Sequence, residues 1–485
     1  MATPSNLRSR RNAAQLHALV GVERDIRAAD SSSRRKYLQE FRQAFRSYGD
    51  VLTAKELEVE IQGSDTILIG DYHALPAAQK FAASVFELRA QPGDRPVVLG
   101  VETIFARDQH IIEEWWRREI DEAEFRQRIR FDLDWGYAWE PFYELLVTAR
   151  EHGEAIYGLD CMPREDLRKI GARDRHAAHK IAETRAKHPQ AVIMVLFGES
   201  HLAPGHLPLQ LRSELPTEKI LTLLQNVDAL YWRATGEKQE RVDAVRVTEN
   251  VLCAFNSTPL EKYESYRLHL SRWGRDEDEG PDLTPTIYNL IDSLVRFLGI
   301  NRYSPHNTTQ PKFLVDMLPE VCRGQSDEPL SRLLLRKGAN EQETADILQK
   351  VNERGCAYLR QVNAFYVREF QMVYATEAAA QFLHHACRGL PYLGKNRQAS
   401  GTTQAIEHAL AYFGSLVLYP ARGEDANSVV QSDEEKQGYE LGKALYDAYL
   451  HGKVSQSTMR RIFLTHVENA DVAEQLWRDL SNRYL

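Results

Sequence analysis

The stretch TILIGDYHALPAAQKF, residues 66–81, joins a short apolar run to an amphipathic one and decides the fold class. Residues 66–70 are apolar and rich in β-branched side chains, which predicts a strand that is buried on both faces. In Ala77–Arg89 the apolar residues recur at i, i+3 and i+4 spacing, which predicts a helix. A buried strand followed by an amphipathic helix is the repeating unit of a mainly parallel sheet.

The same alternation continues along the chain. Four further apolar runs predict strands, and they are PVVLGVE (96–102), EAIYGLD (154–160), AVIMVLFG (191–198) and KILTLLQ (219–225). Helices are predicted between them at Asp108–Arg118 and Asp174–Lys187. We therefore predict an α/β domain over residues 61–240, with a mainly parallel sheet that is flanked by helices.

Composition divides the remainder into three regions. Residues 1–60 predict an N-terminal helical segment that is polar and slightly basic. Residues 241–290 include the acidic stretch WGRDEDEGPDLTPT, which is typical of a linker region. Residues 291–485 predict an α-helical C-terminal domain.

Two helices carry the clearest signals in this C-terminal domain. Ser432–Gly452 begins with a capping box and ends at a glycine. A longer helix is predicted over Glu341–Ala386, with a break near Gly355. We expect this domain to act as a regulatory module or to bind a protein partner.

The composition is that of a globular protein and argues against several classes. The 485 residues are 43% hydrophobic and 27% charged, with a net charge of −8. This mild acidity argues against a nucleic-acid binder, which needs a basic face. No apolar run has the length of a membrane span, and the first residues lack a signal peptide's apolar core, so we expect a cytoplasmic protein. Five scattered cysteines argue against a disulfide framework.

Carboxylates and imidazoles follow the predicted strands. The first strand leads into Gly70-Asp71-Tyr72-His73 and the fourth into Gly198-Glu199-Ser200-His201, while the second ends in Glu102. In an open α/β sheet, ligands bind beyond the carboxyl ends of the strands. We expect these side chains to share a crevice, provided that the first and fourth strands flank it.

The residue types in these motifs allow two kinds of chemistry. His73, Glu102 and His201 form a suitable facial ligand set for Zn²⁺, Mn²⁺ or Fe²⁺, with positions left open for water or substrate. Without a metal ion, the same three residues could supply a histidine base with an orienting carboxylate.

These motifs resemble the ChaN-like family over roughly residues 60–235. The matching stretches occur in the family's order, and they are GDYHALPAAQKF, VVLGVET, DLDWGYAWEPFYELLVTAREHG, LDCMPRE, RDRHAAHKI and FGESHLAPGHLP. ChaN-like domains belong to a superfamily with the TraB, Tiki and erythromycin-esterase-like proteins. Two Gly-x-x-His motifs and an intervening glutamate mark this superfamily.

The resemblance implies two functions. ChaN-like proteins are associated with haem binding and iron uptake, whereas the Tiki and erythromycin-esterase branches are hydrolases, with a divalent metal in the Tiki case. The matching positions are His73, Glu102 and His201, with Asp71 and Glu199 inside the motifs. Asp71 stands where the family more often has Glu.

Arg173 and Asp174 match an Arg-Asp pair on the family's helix before the second motif. If Arg173 faces the crevice, it would hold a substrate carboxylate or a developing oxyanion. The alternative is that Arg173 pairs with a neighbouring carboxylate.

Aromatic residues concentrate between the second and third predicted strands. Trp135, Tyr137 and Trp139 are candidates to line a flat apolar pocket for a planar ligand such as haem. The alternative is that they form core beneath a helical insert. In the C-terminal half, a further set of potential ligands lies on predicted helices. It comprises Glu377, His384, His385, Glu407 and His408.

These observations lead to two main function hypotheses. The first is a ChaN-like protein that binds haem, iron or a divalent metal at the carboxyl ends of the strands. The second is a metal-dependent hydrolase of ester or amide bonds, in which His73, Glu102 and His201 hold the metal and Asp71 or Glu199 is the general base. Both expect a small-molecule or haem ligand. A third hypothesis is a domain that is retained for interaction through its helical half.

Overall fold

The computed structural model describes residues 4–30, 36–162, 170–237, 242–272, 281–300, 317–324, 326–387, 400–420, 422, 432–467 and 469–485. The chain forms two compact units. The α/β unit comprises residues 25–273, and the helical unit comprises residues 1–24 together with residues 274–485. No helix among the described residues is both long enough and apolar enough to cross a membrane.

A mostly parallel eight-stranded sheet organises the described part of the α/β unit. Its strands are β1 (Asp50–Leu52), β2 (Thr66–Asp71), β3 (Val97–Phe105), β4 (Ala155–Asp160), β5 (Val192–Gly198), β6 (Ile220–Gln225), β7 (Ala244–Thr248) and β8 (Val251–Ala254). They lie in the order β1-β7-β8-β6-β2-β5-β3-β4. Only β7 pairs antiparallel with its neighbours among these strands. The five strands predicted from the sequence are β2 to β6, so the predicted fold class is confirmed.

Helices cover the sheet. Those that end or lie in this unit are α1 (Pro4–Ala29), α2 (Lys36–Ala44), α3 (Ala54–Gln62), α4 (Pro76–Arg89), α5 (Gln109–Trp116), α6 (Glu122–Arg128), α7 (Phe131–Asp134), α8 (Trp139–His152), α9 (Ile170–Lys187), α10 (Leu207–Glu214), α11 (Asp228–Glu237) and α12 (Pro259–Arg272). Alternate residues of β2 enter different cores, because Ile67 and Ile69 pack in one apolar cluster and Leu68 in another. Both faces of the sheet are therefore buried, as its continuous apolar strands predict.

Strand order brings the predicted site together. β2 pairs directly with β5 in parallel register, and β3 pairs with the other side of β5. The two Gly-x-x-His motifs thus follow neighbouring strands, and Glu102 lies on the next strand. The first and fourth predicted strands are therefore neighbours in the sheet, which is the condition on which the shared site depended.

Residues 241–290, assigned from the sequence to a linker region, contain regular structure. They include β7, β8 and α12, and the helix α13 (Thr284–Leu298) begins within them. Most of the acidic stretch, residues 273–280, lies outside the described residues.

The helical unit contains a small sheet in addition to its helices. Its strands are β9 (Glu320–Arg323), β10 (Cys356–Leu359) and β11 (Ala364–Val367), in the order β10-β11-β9. Its helices besides the start of α1 are α13, α14 (Asp327–Arg336), α15 (Glu341–Arg354), α16 (Met372–Cys387), α17 (Gly401–Leu418), α18 (Asp433–Leu450), α19 (Gln456–Phe463) and α20 (Ala470–Tyr484). The mostly helical character of this region is confirmed.

The helix predicted over Glu341–Ala386 is wrong in part. The break falls at Gly355, whose φ of 72° ends α15 in the left-handed region. Beyond it the chain forms β10 and β11 before α16 begins, because two short apolar and aromatic segments pair antiparallel. The helix predicted at Ser432–Gly452 is confirmed as α18, where the Ser432 side chain accepts a hydrogen bond from the Glu435 amide.

Candidate functional site

Close packing at the carboxyl ends of β2, β3 and β5 favours glycine in the second motif. A side chain at Gly198 would place its Cβ 3.0 Å from Glu102 Oε2 and 3.2 Å from His73 Nε2. The Gly198 amide instead donates a hydrogen bond to Glu102 Oε2 at 2.5 Å. The backbone of the second Gly-x-x-His motif therefore lies against Glu102 of β3 and close to His73 of the first motif.

His73 is held by a carboxylate at one ring nitrogen. Its Nδ1 lies 2.8 Å from Asp71 Oδ2, and the other oxygen of Asp71 accepts a hydrogen bond from Gln79. Its Nε2 lies 3.9 Å from Glu102 Oε2. The His73 side chain is 23% exposed, whereas that of Asp71 is buried. Asp71 thus fixes the ring orientation and leaves Nε2 directed toward Glu102.

His201 repeats this arrangement from the other side of Glu102. Its Nδ1 lies 2.6 Å from Asp174 Oδ1, and its Nε2 lies 3.7 Å from Glu102 Oε1. Asp174 comes from α9, and its second oxygen lies 3.3 Å from His206 Nδ1. Burial alone would raise the pKa of Asp174, but the hydrogen bonds from His201 and His206 lower it below its usual value.

Arg173 fixes the central glutamate. Its guanidinium donates to Glu102 Oε1 at 2.6 Å and to both oxygens of Asp160 at 2.8 Å. Arg173 therefore pairs with neighbouring carboxylates, which is the second alternative drawn from the sequence, and its role toward a substrate stays a prediction. Burial alone would raise the pKa of Glu102, but the positive charges of His201 and Arg173 lower it to about 2.

The charges of this centre do not balance among the described residues. Four buried carboxylates belong to it, and they are Asp71, Glu102, Asp160 and Asp174. Arg173 is the guanidinium that pairs with two of them. Protonated imidazoles or a bound cation would offset this difference, because a buried charge is stabilised by a partner of opposite charge.

The donor chemistry at the centre fits a metal ion. A histidine that ligates a metal usually gives its other ring nitrogen to a carboxylate, which is the arrangement of both His73 and His201. The two imidazoles face different oxygens of Glu102. The potential ligand atoms of His73, Glu102 and His201 do not all lie within 4.8 Å of one another. A shared ion would therefore require the two rings to draw closer.

Glu199 lies beside this centre and forms an ion pair with Lys262. Both of its carboxylate oxygens are 3.0 Å from Lys262 Nζ, which comes from α12. Burial alone would lower the pKa of Lys262, but the negative charge of Glu199 raises it above its usual value. Asp71 is likewise committed, to His73 and Gln79.

The three candidate aromatic residues separate in the structure. Trp135 and Tyr137 lie beside His73, with ring centroids 4.3 Å and 5.3 Å from the imidazole. Trp139 is 3% exposed and belongs to the apolar core, where its Nε1 donates to Glu122 and its ring stacks on Tyr143. The core alternative therefore describes Trp139, whereas a pocket wall of Trp135 and Tyr137 stays a prediction.

Several residues at the crevice were not identified from the sequence. They are Gln79, His206, Lys262, Tyr266 and His269. Lys262, Tyr266 and His269 have i, i+4 and i+7 spacing, which places them on one face of a helix. That spacing was available in the sequence, but α12 fell in the assigned linker region.

Two of the candidate ligands in the helical unit, Glu377 and His408, lie close together, whereas the others have separate partners. Potential ligand atoms of Glu377, His408 and Glu435 lie within 4.8 Å of one another. His384 instead approaches the Phe463 carbonyl, with Nδ1 at 3.2 Å. His385 lies 3.8 Å from Glu407.

Residues 57–193 match the family model described as haem-binding uptake, Tiki superfamily, ChaN. This part of the α/β unit is thus ChaN-like, and the resemblance read from the sequence is confirmed up to residue 193, before the second Gly-x-x-His motif. No curated protein matches the chain in sequence.

Two solved structures are similar to part of the chain. One describes cofacial haem binding to ChaN of Campylobacter jejuni, at 13% identity and a TM-score of 0.31. The other is the type III effector HopBA1, at 14% identity and a TM-score of 0.29. Each similarity covers 41% of this chain and 91% of the other.

Proposed function

We propose that the crevice is a divalent-metal centre held by His73, Glu102 and His201, and that it hydrolyses ester or amide bonds. The observation that carries this proposal is the paired geometry of the two imidazoles. Each is fixed at Nδ1 by a buried aspartate, and each directs Nε2 toward the same buried glutamate.

Charge supports the same assignment. The four carboxylates exceed the Arg173 guanidinium by three negative charges, and a divalent cation would offset most of that excess. Two nitrogen donors and one oxygen donor suit Zn²⁺, Mn²⁺ or Fe²⁺. When bound, such an ion supplies a water of lowered pKa and polarises the scissile carbonyl.

The protein residues have separate tasks in this proposal. Asp71 and Asp174 accept from Nδ1 of the two imidazoles and so direct each Nε2 toward Glu102. Arg173 and the Gly198 amide hold Glu102 in its ionised form and fixed position. Glu199 has no proton-transfer task here, because it is committed to Lys262.

Metal analysis tests the binding half of the proposal. Protein loaded with Zn²⁺, Mn²⁺ or Fe²⁺ and then desalted is expected to retain about one ion per chain, and His73→Ala and His201→Ala are expected to lose it. His188→Ala is the matched control, because the His188 imidazole also bonds a carboxylate at Nδ1 but its Nε2 faces Tyr157. Equal retention by all three variants would contradict the proposed ligands.

Turnover tests the hydrolytic half. The loaded protein is expected to hydrolyse members of a panel of simple esters and anilides, with Glu102→Gln slowing the reaction by about a hundredfold or more. Stoichiometric metal without turnover of any panel member would leave a metal-binding protein and remove the hydrolase assignment.

A second candidate is haem binding against Trp135 and Tyr137. Their partly exposed rings beside His73 favour it, because a planar ligand needs a flat apolar wall. Haem titration is expected to give a saturable Soret band that weakens in Trp135→Ala and is unchanged in Trp232→Ala. A band that does not saturate would exclude this function.

A further inference from the structure

A continuous series of ring contacts borders His73. Trp135 is 4.3 Å from the His73 ring and 5.7 Å from Tyr137, which stacks on His269 at 4.1 Å. The ring centroid of His269 lies 6.2 Å from that of Tyr266, and the ring centroid of Tyr266 lies 6.1 Å from that of Tyr72. We refer to Tyr72, Trp135, Tyr137, Tyr266 and His269 as the aromatic belt. Because Tyr72 directly precedes His73, the belt begins and ends at the candidate site.

The belt differs from the aromatic core of the same domain. Tyr72, Trp135, Tyr137 and Tyr266 are all partly exposed. By contrast, Trp115 and Trp139 are at most 3% exposed. His269 is 8% exposed and supports Tyr137 from behind, and Trp135 also packs against the apolar core. The other four rings keep partial contact with solvent, so each leaves part of its surface accessible to a ligand beside His73.

Helix α12 supplies one side of the belt. It lies beyond residues 57–193, the part that matches the ChaN-like family. Its Tyr266 and His269 share a helix face with Lys262, which is buried. This side of the crevice is therefore a feature of this chain beyond the matched domain.

Lys262 fixes α12 to both Gly-x-x-His motifs. Its Nζ lies 3.0 Å from both oxygens of Glu199 in the second motif and 4.6 Å from the ring centroid of Tyr72 in the first. The same nitrogen donates to the carbonyl of Asn226 at 3.3 Å. The belt is thus held in place before any ligand arrives, which lowers the entropic cost of binding.

We propose that the aromatic belt binds an aromatic ring of the substrate and makes the centre selective for aryl esters or amides. This proposal rests on the hydrolytic function proposed above. Rings prefer stacked or edge-on contact with other rings, so an aryl group gains an attraction that a saturated ring of the same size lacks. The nearness of Trp135 and Tyr137 to His73 puts a bound ring next to the reacting centre.

Two ketones test the belt independently of turnover. Acetophenone and cyclohexyl methyl ketone share one polar group and similar size, and neither can be hydrolysed. By calorimetry, acetophenone is expected to bind the full chain about tenfold more tightly. Equal affinity for the two ketones would overturn the proposal.

Substitutions at His269 locate the effect. His269→Leu keeps most of the volume but removes the ring, so the preference is expected to fall close to one, whereas His269→Phe is expected to retain it. Tyr157→Leu is the control, because Tyr157 on β4 contacts His188 and lies outside the belt. If His269→Leu does not fold, Tyr137→Leu takes its place. An unchanged preference in a folded His269→Leu or Tyr137→Leu variant would overturn the proposal.

Turnover then separates the two proposals. Methyl benzoate is expected to have a lower KM than methyl cyclohexanecarboxylate. In His269→Leu the two KM values are expected to become similar, so that the change is seen in KM more than in kcat. A ketone preference without turnover of either ester would remove the hydrolase while retaining the belt as a binding site. Turnover of both esters with equal KM and equal ketone affinities would remove the belt while retaining the hydrolase.

Discussion

The α/β unit and the helical unit each bury a cluster of charged side chains, and the two clusters differ in how their charges are matched. In the α/β unit, the described cluster contains four carboxylates and one guanidinium, that of Arg173, which pairs with Glu102 and Asp160. In the helical unit, Glu377 and Glu435 meet Arg354, Arg422 and Lys350. Among the described residues, the first cluster has more carboxylates than guanidinium groups, whereas the second contains two arginines and a lysine for its two glutamates.

The helical cluster has the closer ligand geometry but the wrong charge for a metal site. Arg354 donates to Glu435 at 2.6 Å, and Arg422 donates to Glu377 at 2.7 Å. Burial alone would raise the pKa of Glu377, but the charges of Arg422 and Arg354 lower it to about 2. The comparison teaches that closely spaced ligand atoms do not by themselves mark a metal site. The balance of buried charge decides between a structural network and a ligand site.

The largest expected effect is on the stability of the helical unit. Arg354→Met leaves Glu435 and Glu377 buried with less positive charge, so the helical unit is expected to lose about 3–5 kcal/mol of unfolding free energy. Native-state hydrogen exchange of α16, α17 and α18 measures this loss. Arg332→Met is the control, because Arg332 pairs with Glu328 at the surface of α14. Equal effects of the two substitutions would show that the buried network has no special role.

The next effect depends on pH. Burial and the nearby Lys350 lower the pKa of His408 from 6.5 to about 4. Below pH 6.5 the His408 side chain is therefore protonated in the unfolded chain but not in the folded unit. The contribution of His408 to the unfolding free energy is constant above pH 6.5 and falls toward pH 4. The loss is roughly 3 kcal/mol over this window.

Urea unfolding at several pH values measures this dependence. His408→Gln is expected to flatten the slope of the helical unit between pH 6.5 and 4.5. Below that window, Glu377 and Glu435 begin to contribute, because their lowered pKa values also make acid destabilising. A slope that is the same in wild type and His408→Gln would contradict the assignment.

A smaller effect distinguishes the two clusters by metal affinity. Asp174→Asn removes the carboxylate that orients His201, so the affinity for the bound ion is expected to fall about 10–100-fold. His408→Gln alters the helical cluster and is expected to leave the affinity unchanged. Competition with a chelating dye measures both constants. A loss in His408→Gln alone would move the metal site to the helical unit.

The smallest effect separates helix capping from the charge network. Ser432→Ala removes the hydrogen bond to the Glu435 amide but leaves the Glu435 carboxylate paired with Arg354. A loss of about 1 kcal/mol is expected. Thermal unfolding and hydrogen exchange of α18 measure it. A loss as large as that of Arg354→Met would mean that capping, and not charge pairing, fixes Glu435.

The sequence by itself determined the elements and the edge at which the site lies. Apolar periodicity located β2 to β6 and the helices α4 and α9, because burial imposes the period of each element on its own residues. The same logic placed His73, Glu102 and His201 at the carboxyl ends of strands. It also located Ser432 as the N-cap of α18, because N-cap preference is a local pattern. The second half of the predicted capping box is absent among the described hydrogen bonds of α18, since the Glu435 carboxylate pairs with Arg354.

The tertiary structure decided which partner each of these side chains has. Asp174 is 27 residues from His201, and Arg173 is 71 residues from Glu102. Local periodicity carries no information on such pairs, because they depend on strand order and on how a distant helix is rotated. The same reason separates Trp139 in the core from Trp135 at the crevice, and brings Lys262 of α12 to Glu199. The types of side chain at the site follow from the sequence, whereas their pairing and charge balance follow only from the fold.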